Sequence, residues 1–137
     1  MPAQGFKIYP KRQLVSIQWK FAPTTRDWYD VTGRILDSPD YEPGMRMIAY
    51  RGGTLAPVTS DHVRQVLAVL ERRSARMEPV ILAIVAPGLC DFGMARMMES
   101  LSETASVVVR AFRRPREAIE WLKDPVRYEY YSHLAVA

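Results

Sequence analysis

The segment Pro79–Pro87, "PVILAIVAP", holds an unbroken apolar run between two prolines. No polar residue interrupts it, and it lacks the alternation of a half-exposed strand. A short run of this kind reads as a strand covered on both faces, as in the interior of a largely parallel sheet. Such a strand needs helices above and below it, so the rest of the chain is read for crossovers.

Upstream, "GFKIYPKRQLVSIQWKF" reads as two short strands joined by a turn at Lys11-Arg12-Gln13. Val15, Ile17 and Trp19 alternate with polar positions and are expected to face the core. Thr24 and Asp27 form a capping arrangement for a helix whose apolar stripe is Trp28, Val31, Ile35 and Leu36. Gly33 weakens that helix by about 1 kcal/mol relative to alanine. Pro39 and Pro43-Gly44 end it. "MRMIAYRGG" is a buried strand closed by Gly52-Gly53, and Thr59 or Ser60 caps the next helix. Val63, Val66, Leu67 and Leu70 recur there at helical spacing, with Arg72, Arg73 and Arg76 in its last turns, where cations suit the helix dipole.

After the apolar strand, "DFGMARMMESLSETA" is a helix with Met94, Met97, Met98, Leu101 and Ala105 on one face. "SVVVRAF" is a strand, and "PREAIEWLKD" a last helix opened by Pro115, with Ile119 and Leu122 expected inward beside Trp121. The expected fold class is α/β: a single domain over residues 1–137 with a mixed, mostly parallel sheet in the order ββαβαβαβα. Its core covers about residues 6–123, and a tyrosine-rich tail over residues 124–137 follows, suited to an intersubunit contact in a homodimer. The sheet should contain Val107–Phe112 and bury Trp121.

Composition narrows the function classes. A chain of 137 residues can bury a core without disulfides or metal. The single cysteine, Cys90, excludes an internal disulfide and agrees with a cytoplasmic location. No apolar run approaches the ~20 residues of a membrane span, and "MPAQGFKIYP" lacks the apolar stretch of a secretory signal. The net charge is +4, with 15 arginines against 4 lysines. Acids interrupt the basic residues almost everywhere, so nucleic-acid binding ranks last.

Two segments carry a family resemblance. "FGMARMMESL", with Phe92, Gly93, Ala95 and Arg96, and "VVVRAFRRPREAIEWL", with Phe112, Glu117, Ala118, Trp121 and Leu122, resemble the bacterial SpoIIAA-like family, a branch of the STAS fold. "MIAYRGGTL" resembles the central strand of that family and its following loop. The resemblance implies a regulatory domain related to anti-sigma-factor antagonists, which dock on a protein partner. It also implies a phosphorylatable serine at the head of the helix after the central strand. Here "VTSDHV" stands in that place, with Thr59 or Ser60 at the comparable position but without the Ser-Gly context.

The candidate binding residues are Arg51, Gly52, Gly53, Thr59, Ser60, His62, Cys90, Asp91 and Arg96. They cluster where strands end and helices begin, the usual ligand crevice of parallel sheets. Cys90 at a helix start is a candidate thiolate, and a Cys90–His62 pair is geometrically conceivable. No third orienting residue or oxyanion motif accompanies them, so no catalytic residue is assigned. Gly52-Gly53 lacks the Gly-Lys-Ser/Thr of a phosphate loop. Two histidines and one cysteine make no zinc pattern, and no cofactor or metal is assigned. The leading reading is a non-enzymatic regulatory or protein-interaction domain. The alternative is a carrier of a small apolar ligand or lipid, by analogy with CRAL-TRIO-like proteins and with the methionines lining a cavity. A thiol-dependent enzyme using Cys90 ranks third.

Overall fold

The computed structural model describes residues 4–20, 23–51, 59–77, 79–103 and 107–123. Its elements are β1 (Gln4–Tyr9), a 3-10 turn (Pro10–Arg12), β2 (Leu14–Trp19), α1 (Thr25–Asp37), β3 (Arg46–Arg51), α2 (Ser60–Met77), β4 (Val80–Val85), α3 (Leu89–Ser102), β5 (Val107–Phe112) and α4 (Pro115–Lys123). The expected order of strands and helices is met. Five strands form one mixed sheet in the spatial order β1-β2-β3-β4-β5. β1 and β2 are antiparallel, and β2 through β5 are parallel.

Sequential order has a geometric consequence. Crossovers of uniform hand between successive neighbours place their helices on one face of the sheet. α1, α2 and α3 therefore form a single layer, and their apolar stripes share a core with Val15, Ile17, Met47, Leu82, Ile84 and Val109. α4 is the last element, needs no crossover, and folds onto the opposite face over β4 and β5. There Ala118, Trp121 and Leu122 pack with Ile48, Ile81, Ala83 and Val85. All six residues of β4 are buried, alternate ones serving each core. Two-sided coverage is the physical reason for its continuous apolar run.

Local chemistry supports each element. The β1–β2 connection is a 3-10 turn ending at Gln13, whose backbone is left-handed (φ 52°) and whose N–H donates to the Pro10 carbonyl. α1 opens with a reciprocal capping box: the Asp27 N–H donates to Thr24 Oγ1 at 3.0 Å and the Thr24 N–H to Asp27 Oδ2 at 2.8 Å. Gly33 has a packing reason to be there: a Cβ would come within 3.2 Å of the Arg73 guanidinium. That group lies over the Tyr29 ring and donates to the Tyr29 carbonyl, joining α2 to α1. On edge strand β5 the Ala111 N–H donates to Glu99 Oε1 of α3 at 2.9 Å, which blunts an otherwise unpaired edge.

Val107–Phe112 lies in the sheet as expected, and Trp121 is buried, its ring 5.8 Å from that of Phe112. Three expectations are corrected. Ile119 does not face inward but stands 44% exposed. On this nine-residue helix the buried positions are Ala118, Trp121 and Leu122, an i, i+3, i+4 stripe that turns Ile119 towards solvent. α3 also begins at Leu89, ahead of its expected start at Asp91. Of its methionines only Met98 is buried, while Met94 and Met97 are half-buried. The tyrosine-rich tail and Ala105 lie outside the described residues. No helix among the described residues is long and apolar enough to cross a membrane.

Candidate functional site

β2, β3 and β4 run in parallel and end at one edge of the sheet. Trp19 closes β2 and is the register partner of Arg51, which closes β3. α2 and α3 begin at this edge, because a parallel crossover returns its helix from the strand's C-terminal end. Ligand crevices of open α/β sheets form there. In this protein the crevice narrows to a small cavity of about 40 Å³, lined by Trp19, Trp28, Arg51, His62, Asp91 and Met98 among others. The two indoles form one wall, with centroids 5.0 Å apart and planes tilted by 54°.

The centre of the site is a buried ion pair. Arg51 Nη2 lies 3.1 Å from Asp91 Oδ1, with the side chains 12% and 7% exposed. Asp91 sits in the first turn of α3, where the helix dipole favours a carboxylate. The pair ties the end of β3 to the start of α3. It is close in distance but poorly directed: neither Nε nor Nη2 of Arg51 makes a hydrogen bond. The Trp19 Nε1 donor is likewise buried without a partner. Three donors beside one small cavity are thus unsatisfied, and each such group costs about 1–3 kcal/mol unless an acceptor meets it. α3 is opened by Gly88, which brings no side-chain acceptor.

The nine sequence candidates separate around this centre. Arg51, His62 and Asp91 come together at the cavity. Thr59 performs the capping of α2: its Oγ1 accepts from the His62 N–H at 3.2 Å. Ser60 is exposed, and its Oγ lies 3.4 Å from Arg64 Nη1. Cys90 is exposed on the first turn of α3. Arg96 points outward and pairs with Glu99 at 3.5 Å, away from the cavity. Gly52 and Gly53 lie outside the described residues. Sequence reading missed Trp19 and Trp28 as lining residues because both fit an ordinary core stripe. Their meeting with Arg51 depends on the parallel register of β2 and β3.

A second hollow lies at the other edge, where β2 and β3 begin. It measures about 390 Å³ and is lined by Arg12, Leu14, Arg46, Ile119, Leu122 and Lys123. Arg46 Nη1 donates to the Lys123 carbonyl at 3.3 Å, and Lys123 Nζ pairs with Glu120 at 2.9 Å. None of these six was a sequence candidate; they come from four separate segments, so no local signal marks them. Comparison of the chain with protein-family models, curated proteins and solved structures gives no significant match.

Proposed function

We propose that this protein is a non-enzymatic regulatory or protein-interaction domain of the SpoIIAA-like, STAS type. Its working surface is the edge where β3 ends and α2 and α3 begin. One observation carries the reading. The Arg51–Asp91 pair ties the first turn of α3 to the end of β3, and that turn presents Leu89 at 73% exposure, the most exposed large apolar side chain among the described residues. An apolar side chain held on a fixed backbone is suited to anchor a partner at low entropic cost. Cys90 lies beside it in the open, while His62 lines the cavity, and no hydrogen bond between them occurs among the described residues. Ser60 is the more available hydroxyl for a phosphoswitch, since Thr59 is engaged in capping. A phosphate at that helix start would be electrostatically favoured.

The test is affinity capture followed by binding measurements on the purified partner. Leu89→Asp should weaken the complex by at least about tenfold, whereas Ile119→Asp on the opposite face should leave it unchanged. A complex indifferent to Leu89→Asp would displace the working surface. A partner set that Ser60→Asp does not alter would remove the phosphoswitch.

The larger hollow favours a second reading, a carrier of an amphipathic ligand. Its volume falls within the range of about 300–1,000 Å³ usual for small-molecule sites, and its rim is basic over an apolar floor. Native mass spectrometry of protein purified from cells tests it: a retained acidic lipid lost on Ile119→Asp supports the carrier, and bare protein removes it.

A further inference from the structure

We infer that the small cavity beneath the α2–α3 edge binds the carboxylate group of a short aliphatic monocarboxylate. The inference rests on the reading of that edge as the working surface, and assigns it a ligand. Nε and Nη2 are the two nitrogens on the side edge of a guanidinium, and their N–H bonds point nearly parallel. That fork matches the two oxygens of a carboxylate. In Arg51 both nitrogens are buried and lack a hydrogen-bond partner, and the Asp91 carboxylate near Nη2 is not aligned to serve. Trp19, itself only 2% exposed, adds a third buried N–H at the same cavity.

The dimensions select the ligand. A cavity of about 40 Å³ has room for about three waters, since each needs at least ~10–15 Å³ by this measure. That accommodates the three heavy atoms of the carboxylate itself, and because the cavity is partly open a short alkyl stub extends towards its mouth. Apart from His62, the remaining wall is apolar, with Trp28, Val63, Val66, Ile84, Met94 and Met98. A neutral amide offers one oxygen and would leave part of the fork unmet. A phosphate head has five heavy atoms against the three of a carboxylate, and it sets further negative charge against Asp91. An amine would face Arg51. A monocarboxylate meets the fork, takes the indole N–H and buries its alkyl end on the two tryptophans. The positive ends of α2 and α3 offset its charge beside Asp91.

Trp19 and Trp28 provide the readout, because both line the cavity while the third tryptophan, Trp121, packs on the other face. The full-length chain is titrated with acetate, propionate and butyrate, following tryptophan fluorescence, with propionamide as the neutral counterpart. Saturation by propionate or butyrate near ~1 mM is expected, in keeping with a small ligand making few contacts. Arg51→Lys keeps the charge opposite Asp91 but removes the fork, and should weaken binding at least about tenfold. Trp19→Phe keeps the packing but removes one donor, and should weaken it about fivefold. Melting temperatures establish that both variants fold. Failure of all three acids to saturate below ~50 mM overturns the inference. So does equal affinity for propionamide, or affinity unchanged in both folded variants. If the acids fail while Leu89→Asp still weakens partner binding, this inference alone falls. If partner binding is also indifferent to Leu89, the edge itself is wrongly assigned.

Discussion

The two ends of the sheet carry two cationic hollows of opposite character. At the C-terminal edge one arginine is largely buried, faces a buried carboxylate and stands among unsatisfied donors in a small space. At the N-terminal edge Arg12, Arg46 and Lys123 ring a groove about ten times larger. Charge type alone does not separate them; solvation does. A cation removed from water depends on every neighbour, so its surroundings become specific. A cation left in water contributes little and tolerates change. This contrast makes the edge where α2 and α3 begin the more sensitive of the two to substitution.

The contrast is strongest at Asp91. Asp91→Ala leaves Arg51 charged and buried without its partner, and should lower stability by about 3–5 kcal/mol in urea unfolding. The double change Arg51→Met with Asp91→Leu should restore most of that loss, since apolar residues of similar size replace a buried pair at little cost. A single-variant loss below about 1 kcal/mol would mean that the pair is already solvated, erasing the difference between the hollows.

The next largest effect compares the two-sided strand with the open groove. Leu82→Ala in β4 should cost about 2–5 kcal/mol, because Leu82 is fully buried between β3 and β5. Ile119→Ala at the groove rim should stay within about 0.5 kcal/mol. Comparable losses at the two positions would show that α4 encloses the groove more tightly than its exposure indicates.

Thr24→Ala should cost about 1 kcal/mol by opening the capping box of α1. In contrast, Lys123→Ala and Arg12→Ala should each fall within about 0.5 kcal/mol in thermal unfolding.

The smallest effect is with pH. Burial raises the Tyr41 phenol above its ordinary value of 10.0. Burial, and then the charge of Tyr9, raises Tyr50. A raised folded-state value means that the folded protein retains protons which the unfolded chain has released. Stability from these groups is therefore complete below pH 10 and declines as pH rises beyond it. Tyr41→Phe should flatten that alkaline decline, as seen by fluorescence-detected unfolding. An unchanged slope would place the decline in other groups.

Much of the fold was legible because local pattern and burial agree. The Val80–Val85 run could serve only a strand covered on both faces, and the structure uses all six residues that way. Thr24 with Asp27 named the start of α1 before any tertiary contact was known. Ile119 departs from its expected inward position because on so short a helix the stripe is settled by one position, and it stands exposed at the groove. Arg96 was chosen for its motif, yet an exposed pairing with Glu99 occupies it. Three of the nine candidate residues line the cavity. Arg51, His62 and Asp91 were marked by standing where strands end and helices begin.

By itself, the sequence determined element order, the mostly parallel sheet and the edge at which polar residues gather, because hydrophobic periodicity and capping act over a few residues. Tertiary structure alone decided that Trp19 lies in register with Arg51, that Asp91 rather than solvent faces that guanidinium, and that Leu89 is left outside. Those facts depend on which strands are neighbours and on the loss of water between them, and neither is encoded within any single segment.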